Sequence, residues 1–248
     1  MGITYSVRAL RVEPNGELVL HRRYKAYLKK HCPEFAHVRC HITQEVRELV
    51  ASNWKAIIQG ATPAMKTKGK IQPLVYFYDL FYNTLFVSAP ETKPLFKKSI
   101  IVQGKALTAI IEAIVNAPSV ATVIGSVVGL AYRHNKYGVK IRYYNVIGCI
   151  LLHTIKDCTG DEAWTPTLEH AWLTVYAFML TAMASVLLHG NVDPSEEELS
   201  LAKQGRYMQR LTMRGGIKVK PVARIETALF DSVPPTQCPA KDAWTDEG

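Results

Sequence analysis

The sequence predicts an all-α fold, because apolar residues recur along the middle of the chain at helical spacing. In each of two stretches, apolar residues recur at the i, i+3, i+4 and i+7 positions that form one face of a helix. Their apolar positions are Ile101, Leu107, Ile110, Ile111, Ile114 and Val115 in the first stretch, and Val146, Ile147, Ile150, Leu151 and Ile155 in the second. The chain has 248 residues, of which 48% are hydrophobic, so it can bury one sizeable core or two small ones.

The first predicted element is a small β-hairpin within a basic N-terminal extension, residues 1–42. Residues 7–20 mix apolar and polar side chains around Asn15-Gly16, a pair that favours a tight turn between two strands. Five basic residues come next: Arg22, Arg23, Lys25, Lys29 and Lys30. This extension contrasts with the apolar helical block, residues 43–190, that follows it.

Capping and breaking residues mark the helix boundaries inside the block. Pro90 is expected to end one helix, and Pro118-Ser119 to precede another. Gly160 is expected to end a third helix, and Thr165-Pro166 supplies a capping hydroxyl and a first-turn proline for the last one. The basic segment 60–70 contains both glycine and proline, so it is expected to be a flexible, exposed loop.

His134 is the candidate functional residue with the most specific surroundings. The apolar helix predicted over 119–132 brings its imidazole to the last helical turn, Gly138 marks the turn that follows, and Val139 is predicted to open the next helix. A neutral imidazole at a helix end, among aliphatic residues, suits the proximal ligand of a haem iron. A lone histidine in an apolar helix is more often a core residue, so this interpretation depends on further positions upstream.

Those further positions resemble the globin family in their order and spacing over residues 43–190. The positions that carry the resemblance are Trp54, Pro90, Phe96, Gln103, His134 and the junction 160–172. His134 follows Gln103 by 31 positions, a separation typical of the family. The resemblance implies a globin fold, a 3-over-3 helical sandwich around haem b (iron protoporphyrin IX).

The resemblance also implies a role for each candidate site residue. It makes His134 the iron ligand, and it places Tyr82 and Gln103 on the ligand-binding side as the catalytic pair. The implied haem contacts are Phe86, Phe96, Leu107, His134 and Val139. A tyrosine hydroxyl donates a hydrogen bond, and a glutamine amide can donate or accept one. In the alternative interpretation, Tyr82 is a core aromatic with its hydroxyl at the surface, and Gln103 is a solvated helix residue.

The pair Tyr82 and Gln103 resembles the ligand pocket of flavohaemoglobins and bacterial single-domain globins. That resemblance implies high-affinity binding of dioxygen, binding of nitric oxide and carbon monoxide, and nitric oxide dioxygenase activity that yields nitrate. Residues 191–248 are too few for flavin and nicotinamide domains, so an external reductase is expected. Two alternatives stay open: a haem-based gas sensor or redox protein that signals to a partner through its extensions, and oxygen storage without turnover.

The sequence of the C-terminal extension, residues 191–248, predicts a basic helix over about 193–213 and a tail without fixed structure beyond Pro235. The net charge of +9 is concentrated in the two extensions and in the segment near Lys66. These regions are expected either to be solvated or to meet a negatively charged partner. Gly2 fits the N-myristoylation pattern, so an acyl chain with nearby basic residues is a candidate membrane anchor. Nucleic-acid binding is disfavoured, because the basic clusters form no recognisable module.

Three observations favour the cytoplasm as the location. Residues 1–30 are polar and basic rather than a secretory leader. The apolar segment 106–132 is long enough to span a bilayer, but residues 116–119 split it. The five cysteines are scattered and include no Cys-x-x-Cys pair, which favours a reducing compartment over a disulfide framework.

Overall fold

The structure is a computed structural model, and it describes residues 7–8, 10–69, 71–96, 100–117, 120–188 and 218–219. The α-helices are α1 (Arg22–His31), α2 (Gln44–Ile58), α3 (Pro63–Thr67), α4 (Pro73–Ser88), α5 (Ile100–Val115), α6 (Val120–Lys136), α7 (Tyr143–Thr159) and α8 (Pro166–Leu188). A 3₁₀ helix, Pro90–Leu95, follows α4. The strands are β1 (Val7–Arg8), β2 (Leu10–Val12), β3 (Leu18–Leu20) and β4 (Lys218–Val219). Because helices account for most of the described residues, the predicted all-α class is confirmed.

The backbone divides into two compact units, each named here for its candidate site residue. The histidine unit contains His134 and consists of the described parts of 1–42, 117–141 and 176–235. The tyrosine unit contains Tyr82 and consists of the described parts of 43–116 and 142–175. The division into segments at residues 42 and 190 stays a prediction.

In the histidine unit, β2 and β3 form the antiparallel hairpin that the sequence predicts. Leu10 pairs with Leu20, and both side chains are buried. Gly16 has a positive φ of 86° in the connecting loop, where Asn15 Oδ1 accepts a hydrogen bond from the Glu17 amide at 3.0 Å. Strand β1 pairs antiparallel with β4, with Val7 opposite Val219.

Helix α6 and the second half of α8 supply the apolar core of the histidine unit. The fully buried residues of α6 include Ile124, Val127, Val128 and Ala131. Near the end of α6, the buried Asn135 donates from Nδ2 to the Val186 carbonyl of α8 at 2.8 Å. This bond satisfies a buried amide and attaches the end of α6 to the end of α8.

In the tyrosine unit, α4 packs against α7 along the apolar stripes. Phe77 and Leu85 of α4 and Val146, Ile150 and Ile155 of α7 are all fully buried. The helix ends follow the predicted punctuation. Thr165 Oγ1 accepts from the Leu168 amide at 3.2 Å and so caps α8, while Gly160, with φ of 92°, ends α7.

Two local predictions are wrong. The segment 60–70 contains α3, whose Met65 is buried. Thr62 caps this helix by accepting from the Met65 amide, and it donates to the Cys158 carbonyl of α7, so the segment is anchored to the core. Val139 does not open α7, which begins at Tyr143.

The cysteines also differ from the sequence-based expectation. Cys32, Cys40 and Cys158 are buried free thiols, whereas Cys149 takes part in a disulfide bond that the scattered spacing does not predict. Burial raises the pKa of Cys32 and Cys158 to about 12, so both thiols stay protonated.

None of the helices within the described residues is long and apolar enough to cross a membrane. The candidate acylation site Gly2, the pair Pro118-Ser119 and the predicted C-terminal helix lie outside the described residues.

Candidate functional site

His134 lies in the last turn of α6, at a helix end that its own backbone helps to close. The Val139 amide donates to the His134 carbonyl at 3.0 Å, and the Gly138 amide donates to the Asn135 carbonyl at 2.9 Å. Gly138 has a positive φ of 78°. Together these features form a Schellman motif, which satisfies the last carbonyls of the helix. Helix α7 begins four residues after Val139, at Tyr143.

The imidazole of His134 has one nitrogen fixed by the same helix. Its Nδ1–H donates to the Leu130 carbonyl, one turn earlier, over 2.8 Å. A carbonyl can only accept, so Nδ1 carries the hydrogen and the neutral ring has its lone pair on Nε2. Burial lowers the pKa of His134; the Leu130 hydrogen bond opposes that shift, and the charge of Arg133 adds to it. The ring is therefore neutral near pH 7.

This donor chemistry fits a haem iron. A neutral imidazole is a usual protein ligand of haem, and a hydrogen bond from the ring nitrogen that does not bind the iron fixes the tautomer and the ring orientation. Val139, a predicted haem contact, lies half-buried in the turn after α6. His134 and Val139 both belong to the histidine unit.

In the tyrosine unit, the structure brings Tyr82, Phe86 and Phe96 together as one ring cluster. The ring centroids of Tyr82 and Phe96 are 5.5 Å apart, those of Phe86 and Phe96 are 5.4 Å apart, and those of Tyr82 and Phe86 are 6.0 Å apart. Tyr82 and Phe86 are one turn apart on α4 and so share a face. Pro90 starts the 3₁₀ helix, and Phe96 directly follows that helix. The first two pairs are edge-to-face or close to it, the geometry that favours aromatic contact.

The hydroxyl of Tyr82 remains a donor over the whole physiological pH range. The side chain is 3% exposed, and burial, with a smaller contribution from Tyr78, raises its pKa to about 12. Both interpretations of Tyr82, the ligand-side donor and the core aromatic with its hydroxyl at the surface, stay predictions.

The remaining predicted site residues lie on α5. Leu107 is half-buried, and Gln103 lies in the first turn of the helix, with a side chain outside what the structure describes. Sequence reasoning missed Tyr78, which is buried one turn before Tyr82 and whose hydroxyl is 2.7 Å from Thr108 Oγ1 of α5. Its i−4 spacing from Tyr82 was the available signal.

Comparison with known proteins shows which part of the chain is similar to the globin family. Residues 79–183 match the globin family model. The chain is 28% identical over 103 residues to a flavohemoprotein of Vibrio cholerae, covering 40% of this chain and 26% of that protein. It is 25% identical over 134 residues to the flavohemoprotein of Bacillus subtilis, covering 52% of this chain and 32% of that protein.

The matched region thus spans about a quarter to a third of these relatives. The match to the globin family model, residues 79–183, includes α4 from residue 79, the whole of α5, α6 and α7, and α8 to residue 183. It therefore covers Tyr82, Gln103 and His134. Residues 79–183 of the chain therefore match a globin domain.

Proposed function

We propose that this globin binds haem b with His134 as the iron ligand, and that it binds dioxygen, nitric oxide and carbon monoxide with high affinity for dioxygen. The observation that carries the proposal is the state of the His134 ring. Burial keeps the ring neutral, and the hydrogen bond to the Leu130 carbonyl holds the hydrogen on Nδ1, so Nε2 is the nitrogen that we assign as the iron ligand. The apolar contacts to the haem would come from Phe86, Phe96, Leu107 and Val139.

Tyr82 is proposed to provide the main polar contact to the gas. When bound, the haem supplies a ferrous iron that takes up diatomic gases. A gas that becomes polarised on binding is stabilised by a hydrogen-bond donor. The Tyr82 hydroxyl stays protonated, and its ring packs against neighbouring rings. We assign to Gln103, on the α5 side, the role of a second polar group. Slow release of dioxygen follows from this arrangement.

We further propose nitric oxide dioxygenase activity with a separate reductase. In the overall reaction, one nitric oxide, one dioxygen and one electron give one nitrate ion, so each turnover consumes an electron that a partner must supply. Tyr82 supports this activity by retaining dioxygen until nitric oxide arrives. The similarity to two flavohemoproteins, whose name joins a flavin to a haem, supports the link to a reductase.

Haem titration of matched histidine variants tests the ligand assignment. His134→Ala should abolish stable haem uptake, whereas His153→Ala should bind haem as the wild type does. His153 is a suitable control because burial lowers its pKa too, although it lies on α7 in the tyrosine unit. A His134→Ala protein with wild-type haem affinity and spectrum would show that another residue holds the iron.

Rapid mixing of the oxygenated protein with nitric oxide tests the enzymatic part. Stoichiometric formation of nitrate, with loss of the oxygenated spectrum, is the expected result. Release of dioxygen without nitrate would leave a gas-binding protein and remove the dioxygenase activity from the proposal.

A further inference from the structure

Tyr78 lies between α4 and α5 and contacts α5 at two points one turn apart. Its ring lies against Gly104, where a Cβ atom would be only 2.7 Å from ring carbons Cδ1 and Cε1. Its hydroxyl is 2.7 Å from Thr108 Oγ1. The ring therefore lies along one turn of α5, held by close packing at one end and by a hydrogen bond at the other.

The contact at Gly104 leaves no space for a larger residue. Real Cβ atoms essentially never approach other heavy atoms within 3.0 Å, and three ring atoms of Tyr78 lie inside that limit. Tyr78 is itself buried, and its ring packs edge-to-face on Phe77 with centroids 6.0 Å apart. Neither partner can move away cheaply, because a close-packed interior does not yield locally.

The two contact points alternate with the proposed pocket residues along α5. Gly104 directly follows Gln103, and Thr108 directly follows Leu107. On α4, Tyr82 is one turn after Tyr78 and therefore shares its face. Whatever fixes Tyr78 against α5 consequently fixes how far the backbone of Gln103 and Leu107 lies from the backbone of Tyr82.

We infer that Tyr78, Gly104 and Thr108 form a spacer that sets the α4–α5 separation and so positions the Tyr82 hydroxyl for the gas ligand. This inference rests on the proposed role of Tyr82. Tyr78 acts here as a positioning residue rather than a catalytic one. The electrostatic influence of Tyr78 on the pKa of Tyr82 agrees with the closeness of the two side chains.

Hydroxyl-removing variants test the spacer without changing its bulk. Tyr78→Phe and Thr108→Val each remove one side of the hydrogen bond and should raise the dioxygen dissociation rate by about threefold. Both should shift the carbon monoxide stretching frequency of the ferrous protein in the same direction, because that frequency reports the polar environment of the ligand. The double variant should show no more than the single effect, since both changes remove the same bond. Thr108→Ser keeps a hydroxyl at this position, so its dioxygen dissociation rate and carbon monoxide stretching frequency should equal those of the wild type.

Tyr76→Phe is the matched control on the same helix. Its hydroxyl donates to Asp157 Oδ2 at 2.8 Å and contacts Lys68, so the change removes part-buried hydrogen bonds without touching α5. It should lower stability and leave both ligand readouts unchanged. Gly104→Ala, which forces the ring away from α5, should change both readouts more than the hydroxyl variants do.

Two results would overturn the inference. One leaves the proposed role of Tyr82 intact, and the other removes that role as well. If Tyr82→Phe changes the rate and the frequency while Tyr78→Phe and Thr108→Val change neither, the spacer is wrong and the proposed function stands. If Tyr82→Phe itself changes neither, the role of Tyr82 is wrong, and the spacer that depends on it is wrong as well.

Discussion

Different interactions hold the candidate site residue in place in the histidine unit and in the tyrosine unit. In the histidine unit, His134 is held by hydrogen bonds of a helix end: one from its own ring to Leu130, and two nearby from the amides of Gly138 and Val139. In the tyrosine unit, Tyr82 is held mainly by packed rings and by the fit of α4 against α5. Directional bonds orient a metal ligand, whereas ring packing shields a donor from water.

Burial acts on both residues with opposite effects on the pKa and the same chemical result. It lowers the pKa of His134 and raises that of Tyr82 to about 12, because in each case it disfavours the charged form. Both side chains are therefore neutral near pH 7. A neutral imidazole can bind a metal and a neutral phenol can donate a hydrogen bond, so burial alone prepares both residues for the proposed roles.

The largest expected difference between the units is in the unfolding free energy that is lost when the glycine at a helix end is replaced by alanine. Gly160 and Gly138 both have positive φ, at 92° and 78°, but a Cβ on Gly160 would be 3.2 Å from the Ala64 Cβ, whereas one on Gly138 would meet nothing within 4 Å. Gly138→Ala should lower the unfolding free energy by about 1 kcal/mol, from backbone strain alone. Gly160→Ala should cost about 2 kcal/mol or more, because it also disturbs α3. Urea unfolding measures both.

Gly129 serves as the control for these two changes. It lies within α6, has no positive φ, and has open space where a Cβ would be. Gly129→Ala should therefore stabilise the protein by about 0.5–1 kcal/mol. Equal losses at Gly138 and Gly160 would mean that the contact between Gly160 and α3 contributes nothing.

The next effect concerns the tyrosine unit alone. Tyr82→Phe keeps the ring and removes the hydroxyl, so it should raise the dioxygen dissociation rate by about tenfold, equivalent to about 1.4 kcal/mol for one hydrogen bond to the ligand. Stopped-flow replacement of dioxygen by carbon monoxide measures the rate. Phe81→Leu, which alters a neighbouring buried ring without a polar group, should change it much less. An unchanged rate in Tyr82→Phe would remove this residue from the ligand pocket.

The smallest expected effect is a pH dependence of the unfolding free energy, to which one histidine in each unit contributes. His134 and His153 have pKa values lowered by burial from the ordinary 6.5, so the unfolded chain binds protons at a pH where the folded chain does not. The unfolding free energy of the haem-free protein should fall as pH drops below 6.5. His134→Gln and His153→Gln should each remove part of that dependence. A pH profile unchanged by either variant would show that these histidines do not titrate differently on folding.

Sequence patterns predicted the features that depend on local chemistry. Apolar periodicity predicted α5 and α7, Thr165 and Pro166 predicted the start of α8, and Asn15-Gly16 predicted the hairpin loop. Each of these signals acts within a few residues of the chain, so it can be recognised without knowing what packs nearby.

The features that were missed depend on contacts distant in sequence. Helix α3 forms in a Gly- and Pro-containing segment because Met65 finds a buried position and Thr62 reaches the Cys158 carbonyl, 96 positions away. The fit of the Tyr78 ring against Gly104 joins two helices, and the spacing of Tyr78 from Tyr82 within α4 does not by itself reveal that contact. The predicted roles of Tyr82, Gln103 and the haem-contact residues rest on family resemblance and stay predictions.

The most direct test of the central claim is the absorption spectrum of the purified, haem-loaded protein in its ferric, ferrous and carbon-monoxide-bound forms. If His134 holds the iron on one side and the other side is open to gases, the ferrous protein should be five-coordinate and should shift cleanly on adding carbon monoxide. A six-coordinate ferrous spectrum, or no stable haem binding after reconstitution, would contradict the claim.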